Sequence, residues 1–108
     1  MASELLKVSH NIVSNSEVVL INGVSGHTYT ILSVTLCETA GNAETFDLFI
    51  DDDGGGTDYE IYSDQALGAN ETFEHTGRIV LEAADVLSGI TATSADIDVV
   101  VTYLDQTL

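Results

Sequence analysis

The sequence predicts an all-β chain: an antiparallel two-sheet β-sandwich of jelly-roll or immunoglobulin-like type, with about eight strands and an N-terminal arm. Three observations carry this. Short segments rich in Val, Ile, Leu, Thr, Phe and Tyr recur about every 8 to 12 residues. Several of them alternate with period two, which puts one set of side chains on one face of a sheet. Clusters of Gly, Asn, Ser and Asp separate them, and no stretch shows a convincing helical period. At 108 residues the chain fits one domain, long enough to bury a core without metal or disulfide support.

The elements follow in order. Residues 1–16 stand apart: Met1 to Leu6 fits a helical turn, and Lys7 to Ser16 alternates loosely. This segment is read as an arm or an extra strand, and residues 17–108 as the sandwich. Strands are predicted at Val18–Asn22, His27–Glu38, Glu44–Asp51, Tyr59–Ser63, Thr72–His75, Arg78–Glu82, Val86–Thr93 and Ile97–Leu104. Phe46, Leu48 and Ile50 oppose Asp47 and Asp51; Ile97, Val99, Val101 and Tyr103 oppose Asp96, Asp98 and Thr102. Turn residues sit at Asn22-Gly23, Ser25-Gly26, Ala40-Gly41-Asn42, Gly54-Gly55-Gly56, Gly68-Ala69-Asn70 and Thr93-Ser94-Ala95. The expected core is Leu32, Val34, Leu36, Phe46, Leu48, Ile50, Ile79, Leu81, Ile90, Val99 and Val101.

Charge excludes several function classes. Eighteen acids face only Lys7 and Arg78, a formal charge of −16. Phosphate contacts need Lys and Arg, so neither nucleic acid nor an anionic membrane surface is an expected partner. The longest aliphatic runs, Val18-Val19-Leu20-Ile21 and Val99-Val100-Val101, are far short of a membrane span, and Met1 to Lys7 does not read as a signal peptide. The acids are unevenly placed. Glu4, Glu17 and Lys7 leave residues 1–37 at −1, while the other sixteen acids and Arg78 leave residues 38–108 at −15. A near-neutral third suits docking, and an acidic remainder suits solvent.

No constellation supports catalysis. Cys37 is the only cysteine and is expected to be buried and inert, a small hydrophobe without a cationic partner. His10, His27 and His75 are scattered, without zinc spacing or a triad context. Gly54-Gly55-Gly56 is followed by no Lys and flanked by acids, so it is no phosphate loop. A glycosidase cleft needs aromatic platforms, and the chain has no Trp. Asn70-Glu71-Thr72 is a formal glycosylation triplet with nothing beside it to indicate secretion. The acid-rich stretch Asp51 to Glu60 offers a candidate calcium loop of Asp51, Asp53 and Asp58. Its spacing departs from the twelve-residue calcium loop: Gly55 has no side chain for the third ligand, and Tyr62 stands at the bidentate position. The expectation is a solvated hairpin loop, no cofactor, and calcium dispensable.

Two stretches carry a resemblance. One is Val18 to Gly41, VVLINGVSGHTYTILSVTLCETAG; the other is Leu67-Gly68-Ala69-Asn70-Glu71-Thr72-Phe73 with Ile79-Val80-Leu81-Glu82-Ala83-Ala84-Asp85-Val86-Leu87. Together they resemble small β-sandwich virion structural proteins of tailed bacteriophages, many of them marine, of the head-decoration or cement type. In those proteins a Gly stands where this chain has Ala84. The resemblance covers about residues 18–104 at the level of fold pattern. It implies a capsid decoration protein on the outer head surface, made in the host cytoplasm, a homotrimer whose partner is the major capsid protein. The alternative is a tail- or fibre-associated adsorption module binding a host glycan or protein. Attachment is expected through residues 1–16, where Leu5, Leu6, Val8, Ile12 and Val13 have few acids beside them and are the candidate interface.

Overall fold

The computed structural model describes residues 3–107 and contains nine strands in two antiparallel sheets. They are β1 (Ser3–Val13), β2 (Val18–Asn22), β3 (His27–Glu38), β4 (Glu44–Asp51), β5 (Asp58–Leu67), β6 (Thr72–His75), β7 (Ile79–Leu81), β8 (Val86–Thr91) and β9 (Ile97–Thr107). A three-residue 3-10 turn, Asp52–Gly54, joins β4 to β5. One sheet runs β1-β9-β3-β6, with β7 also paired to β3; the other runs β2-β8-β4-β5.

The pairing identifies the sandwich type. β1 pairs with β9, β2 with β8, β3 with β6 and β7, and β4 with β5. Taken from the chain ends inward, these pairs form one long hairpin. Rolling that hairpin adds the contacts of β3 with β9 and of β4 with β8. This is a jelly roll, not an immunoglobulin-like sandwich, and rolling brings the two chain ends together as neighbours in one sheet.

The consequence for the N-terminus is direct. Residues 3–13 are not an arm outside the sandwich. They pair with β9 without interruption from Ser3↔Thr107 to Val13↔Ile97, so they are the outermost strand of the roll. Met1 and Ala2 lie outside the described residues. A helical turn over Met1–Leu6 is therefore corrected to strand from Ser3 onward. The strong partner is β9, whose Ile97, Val99 and Val101 are buried.

The core lies between the sheets and centres on Ile31, Val34, Leu36, Phe46, Leu48, Leu81, Leu87, Ile97, Val99 and Val101. A bulge decides the inward set on β3. Its register with β9 shifts between Ile31 and Ser33. Before the shift Tyr29 and Ile31 are buried; after it Val34, Leu36 and Glu38 are. One inserted residue reverses the facing of all that follow. Leu32 sits in the bulge and is only half-buried, against the expectation of a core residue. Cys37 falls on the outward face and is half-buried rather than enclosed. Ile90 also leaves the expected core. On β8, Leu87 and Gly89 face the interior, so Ile90 points outward. Ile50 and Ile79 pack on the rim of the core, half-buried.

Two polar devices hold the ends of the roll. Glu38 closes β3, and its carboxylate accepts from four backbone N–H groups: Ala40 at 2.9 Å, Gly41 at 2.8 Å, Asn42 at 3.0 Å and Asn70 at 3.1 Å. Burial pushes its carboxyl upward, yet these four donors outweigh that and hold it below the ordinary value. At the opposite end Gly23 donates to the Asp85 carbonyl at 2.8 Å. Any side chain there meets backbone, since a Cβ lies 2.6 Å from the Asp85 oxygen and 2.7 Å from that of Glu82.

Candidate interaction surface

Register places the side chains of the β1-β9-β3 sheet without ambiguity. Its outward face reads, row by row, Glu4–Gln106–Thr28, Leu6–Leu104–Thr30–Val80, Val8–Thr102–Ser33, His10–Val100–Thr35–Glu74 and Ile12–Asp98–Cys37–Thr72. Only Glu4, Glu74 and Asp98 carry negative charge across it. Leu6 is 73% exposed, Ile12 63% and Val8 51%, and Val80 and Val100 are exposed too. Isolated apolar side chains on a surface need no explanation, but a continuous set on one strand does. A groove of about 570 Å³ opens beside Ile12, lined by His10, Asn11, Asp98, Val99 and Val100.

Of the predicted interface residues, Leu6, Val8 and Ile12 share this face. Leu5 lies on the opposite face of β1, where it is 56% exposed although its register neighbours Asp105 and Tyr29 are buried. Val13 is a correction. It is 1% exposed and belongs to the core, because at the end of β1 it faces Gly89 and the second sheet, so it is not available to a partner.

The inner face of the same three strands carries a charged cluster that local reading missed. Asp105 of β9 is 2% exposed. Lys7 of β1 donates to its Oδ2 at 2.8 Å, and Nδ1 of His27 on β3 lies 2.7 Å from its Oδ1. Those hydrogen bonds, Lys7 first and His27 second, hold the Asp105 carboxyl below its ordinary value against the opposing effect of burial. The same contact raises the Lys7 ammonium. His27 stacks on Tyr29, which meets Tyr103 edge-on. Three strands are thus pinned by one carboxylate. The residues are 78 and 98 positions from Asp105, so no motif announces them; the only available signal was that Lys7 is one of just two cations.

The candidate calcium residues Asp51, Asp53 and Asp58 do not converge as a set. Asp51 and Asp58 pair across the start of the β4–β5 hairpin, and Asp51 accepts from the Gly55 N–H at 2.9 Å. The carboxylates that converge are instead Asp52, Asp53 and Asp85, within 4.8 Å of one another. Asp85 already accepts from the backbone N–H groups of Asp53 and Glu82. The Asp53 charge, then burial, then the Asp85 charge raise the Asp52 carboxyl above its ordinary value. Glu60 on β5 is raised as well, by burial first and then by Asp47 and its other acidic neighbours. Acid repulsion is therefore concentrated on the β4–β5 side, away from β1. The histidines occupy three separate places: His10 outward on β1, His27 against Asp105, and His75 with Nδ1 2.7 Å from the Tyr62 hydroxyl. Among the described residues no helix is long and apolar enough to cross a membrane.

No protein-family model and no curated protein matches the sequence. Solved structures match it in fold. A chain from the disulfide-linked pili known as Bacillus endospore appendages superposes with a TM-score of 0.60 at 12% identity, covering 99% of this chain and 88% of that one. A chain of the capsid of Helicobacter pylori bacteriophage KHP30 superposes with a TM-score of 0.53 at 14% identity, covering 100% of this chain and 94% of that one. A chain of the T13 particle of infectious bursal disease virus gives a TM-score of 0.51 at 8% identity; this chain is covered over 96% but spans only 35% of that one. At these identities the shared property is the fold: the jelly roll described here is similar to subunits of two viral capsids and a pilus.

Proposed function

We propose that this chain is a structural subunit of a bacteriophage virion, a decoration protein that binds the outer capsid surface and stabilises it without catalysing a reaction. The observation that carries the reading is the division of the surface. One sheet presents a face of Leu6, Val8, Ile12, Val100 and threonines with few charges. The β4–β5 side and its turn concentrate Asp47, Asp51, Asp52, Asp53, Asp58, Glu60 and Asp64. Apolar side chains are buried against a partner cheaply where no carboxylate is desolvated with them. The acidic side then faces solvent. The fold shared with a phage capsid chain supports the reading at the level of architecture only. A homotrimer, matching the local three-fold positions of a capsid, belongs to the same proposal.

The experiment is co-sedimentation of the purified chain with heads that lack it, followed by thermal disruption of the pelleted heads. Saturable binding in step with the capsid lattice, and a higher disruption temperature, are expected. Val8→Ser with Ile12→Ser is expected to abolish pelleting while leaving the melting temperature of the free protein nearly unchanged. Localisation to tails alone would overturn the reading in favour of an adsorption module.

A further inference from the structure

We propose that β1 is an attachment edge: an extended segment of the partner, with apolar side chains alternating with lysine or arginine, adds to it as a further strand of the β1-β9-β3 sheet. This deepens the decoration reading and rests on it only for the identity of the partner.

The argument begins with how the strand edges of this roll are protected. An unpaired edge is blunted by shortness, bulges, charges or proline. β6 and β7 are four and three residues long. β2 has five residues and a register shift between Val19 and Ile21. β5 carries Asp58, Glu60 and Asp64, is irregularly paired, and has Asp64 at φ 49. β1 is the long and regular edge, with only Glu4 and Lys7 as charges along it. It has eleven residues, its pairing with β9 runs without a shift, and it contains no proline. Of its two charges, Glu4 is exposed, and Lys7, with its side chain 43% exposed, holds its ammonium on Asp105. In a chain whose other edges are short or irregular, the long regular one is a place for pairing.

Exposure on both faces of β1 points to a strand rather than a flat surface. Leu6 is exposed on the outward face and Leu5 on the inward face. A surface laid over the outward face covers Leu6 and leaves Leu5 in water. A strand added at the edge places its own alternating side chains beside both. Charge selects its chemistry. β1 is neutral overall, with Glu4 and Lys7, but the chain bears −16, and Glu4 and Asp98 flank the apolar row. A second copy would add another −16 to the complex, whereas a basic segment is attracted.

The probe is a ten-residue peptide alternating valine and lysine, titrated into the ¹⁵N-labelled full chain, with amide hydrogen exchange as the readout. Alternate amides along β1 are expected to gain protection, since every second residue of an edge strand turns its N–H outward. Leu5→Ser and Leu6→Ser are each expected to weaken binding about tenfold, as loss of one leucine's partly buried surface implies. The corresponding valine–glutamate peptide is expected not to bind. Absence of saturable binding overturns the proposal. So does equal binding of the glutamate peptide, an effect of Leu6→Ser without one of Leu5→Ser, or protection of the β1 edge by a second copy in the free protein. Failure of the decoration reading is distinguishable: the lysine peptide then still protects β1, but the chain does not pellet with heads. Should the chain pellet with heads and Leu5→Ser leave pelleting intact, strand addition fails and decoration stands.

Discussion

The bulge in β3 makes a sharp prediction about two adjacent residues, Leu36 and Cys37. Unbroken alternation from the buried pair Tyr29 and Ile31 would carry Cys37 inward and Leu36 outward; the shift after Ile31 does the reverse. Leu36 is 2% exposed and sits in the main core cluster. Leu36→Ala removes three buried carbon groups at about 0.8 kcal/mol each and leaves a cavity, about 3 kcal/mol in all. With an unfolding entropy near 2.1 cal/mol/K per residue, that lowers the melting temperature of a 108-residue chain by about 13 °C. Cys37→Ala takes one sulfur from a half-exposed site, and the expected loss is under about 1 kcal/mol. Thermal unfolding followed by circular dichroism, with denaturant titration to check that the slope is unchanged, measures both. A thiol reagent on the native protein gives an independent reading: Cys37 is expected to react slowly but without unfolding. Equal destabilisation by the two substitutions, or a larger loss from Cys37→Ala, would refute the bulge-shifted phase of β3.

Three further outcomes follow from the packing and the charges. Gly23→Ala drives a Cβ to 2.6 Å and 2.7 Å from two backbone oxygens, and a stability loss of about 2 kcal/mol is expected in the same unfolding assay; a neutral result would mean that the 82–85 turn yields freely. For pH the signs oppose one another. Asp52 and Glu60 are raised in the fold, so their repulsion is relieved as pH falls through their raised values. Asp105 and Glu38 are lowered, so their stabilisation is present above the ordinary values of 3.8 and 4.5 and is lost as pH falls through their lower folded values. The melting temperature is thus expected to rise as pH falls from neutrality towards the ordinary carboxylate range and to fall below that range, and a monotonic decline from neutrality contradicts that balance. A calcium chelator is expected to leave the melting temperature within error, because the acids that converge are Asp52, Asp53 and Asp85, with Asp85 engaged by backbone donors; a drop of several degrees would make that cluster a metal site.

What the sequence by itself determined is what local chemistry controls. Segments rich in β-branched, aliphatic and aromatic residues placed β2, β3, β4 and β6 at their observed limits, and Asn, Gly and Ser marked the turns between them, because strand and turn propensities act over a few residues. Much of the core was legible for the same reason: Val34, Leu36, Phe46, Leu48, Leu81, Val99 and Val101 are all buried. The uneven charge was legible too, and with it the near-neutral strand on which Leu5, Leu6, Val8 and Ile12 are exposed. Tertiary structure decided the rest. Loosely alternating residues 3–13 become a strand because β9 is there to pair with them, a partner almost the whole chain away. Leu32, Cys37 and Ile90 depart from expectation because facing depends on register, and a bulge is set by the partner strand rather than by the residues it displaces. Val13 is lost to the interface because the second sheet closes over it. Lys7, His27 and Asp105 meet only once the roll has brought β1, β9 and β3 side by side. An edge left open is likewise a property of the sheet order, and no stretch of sequence carries it alone.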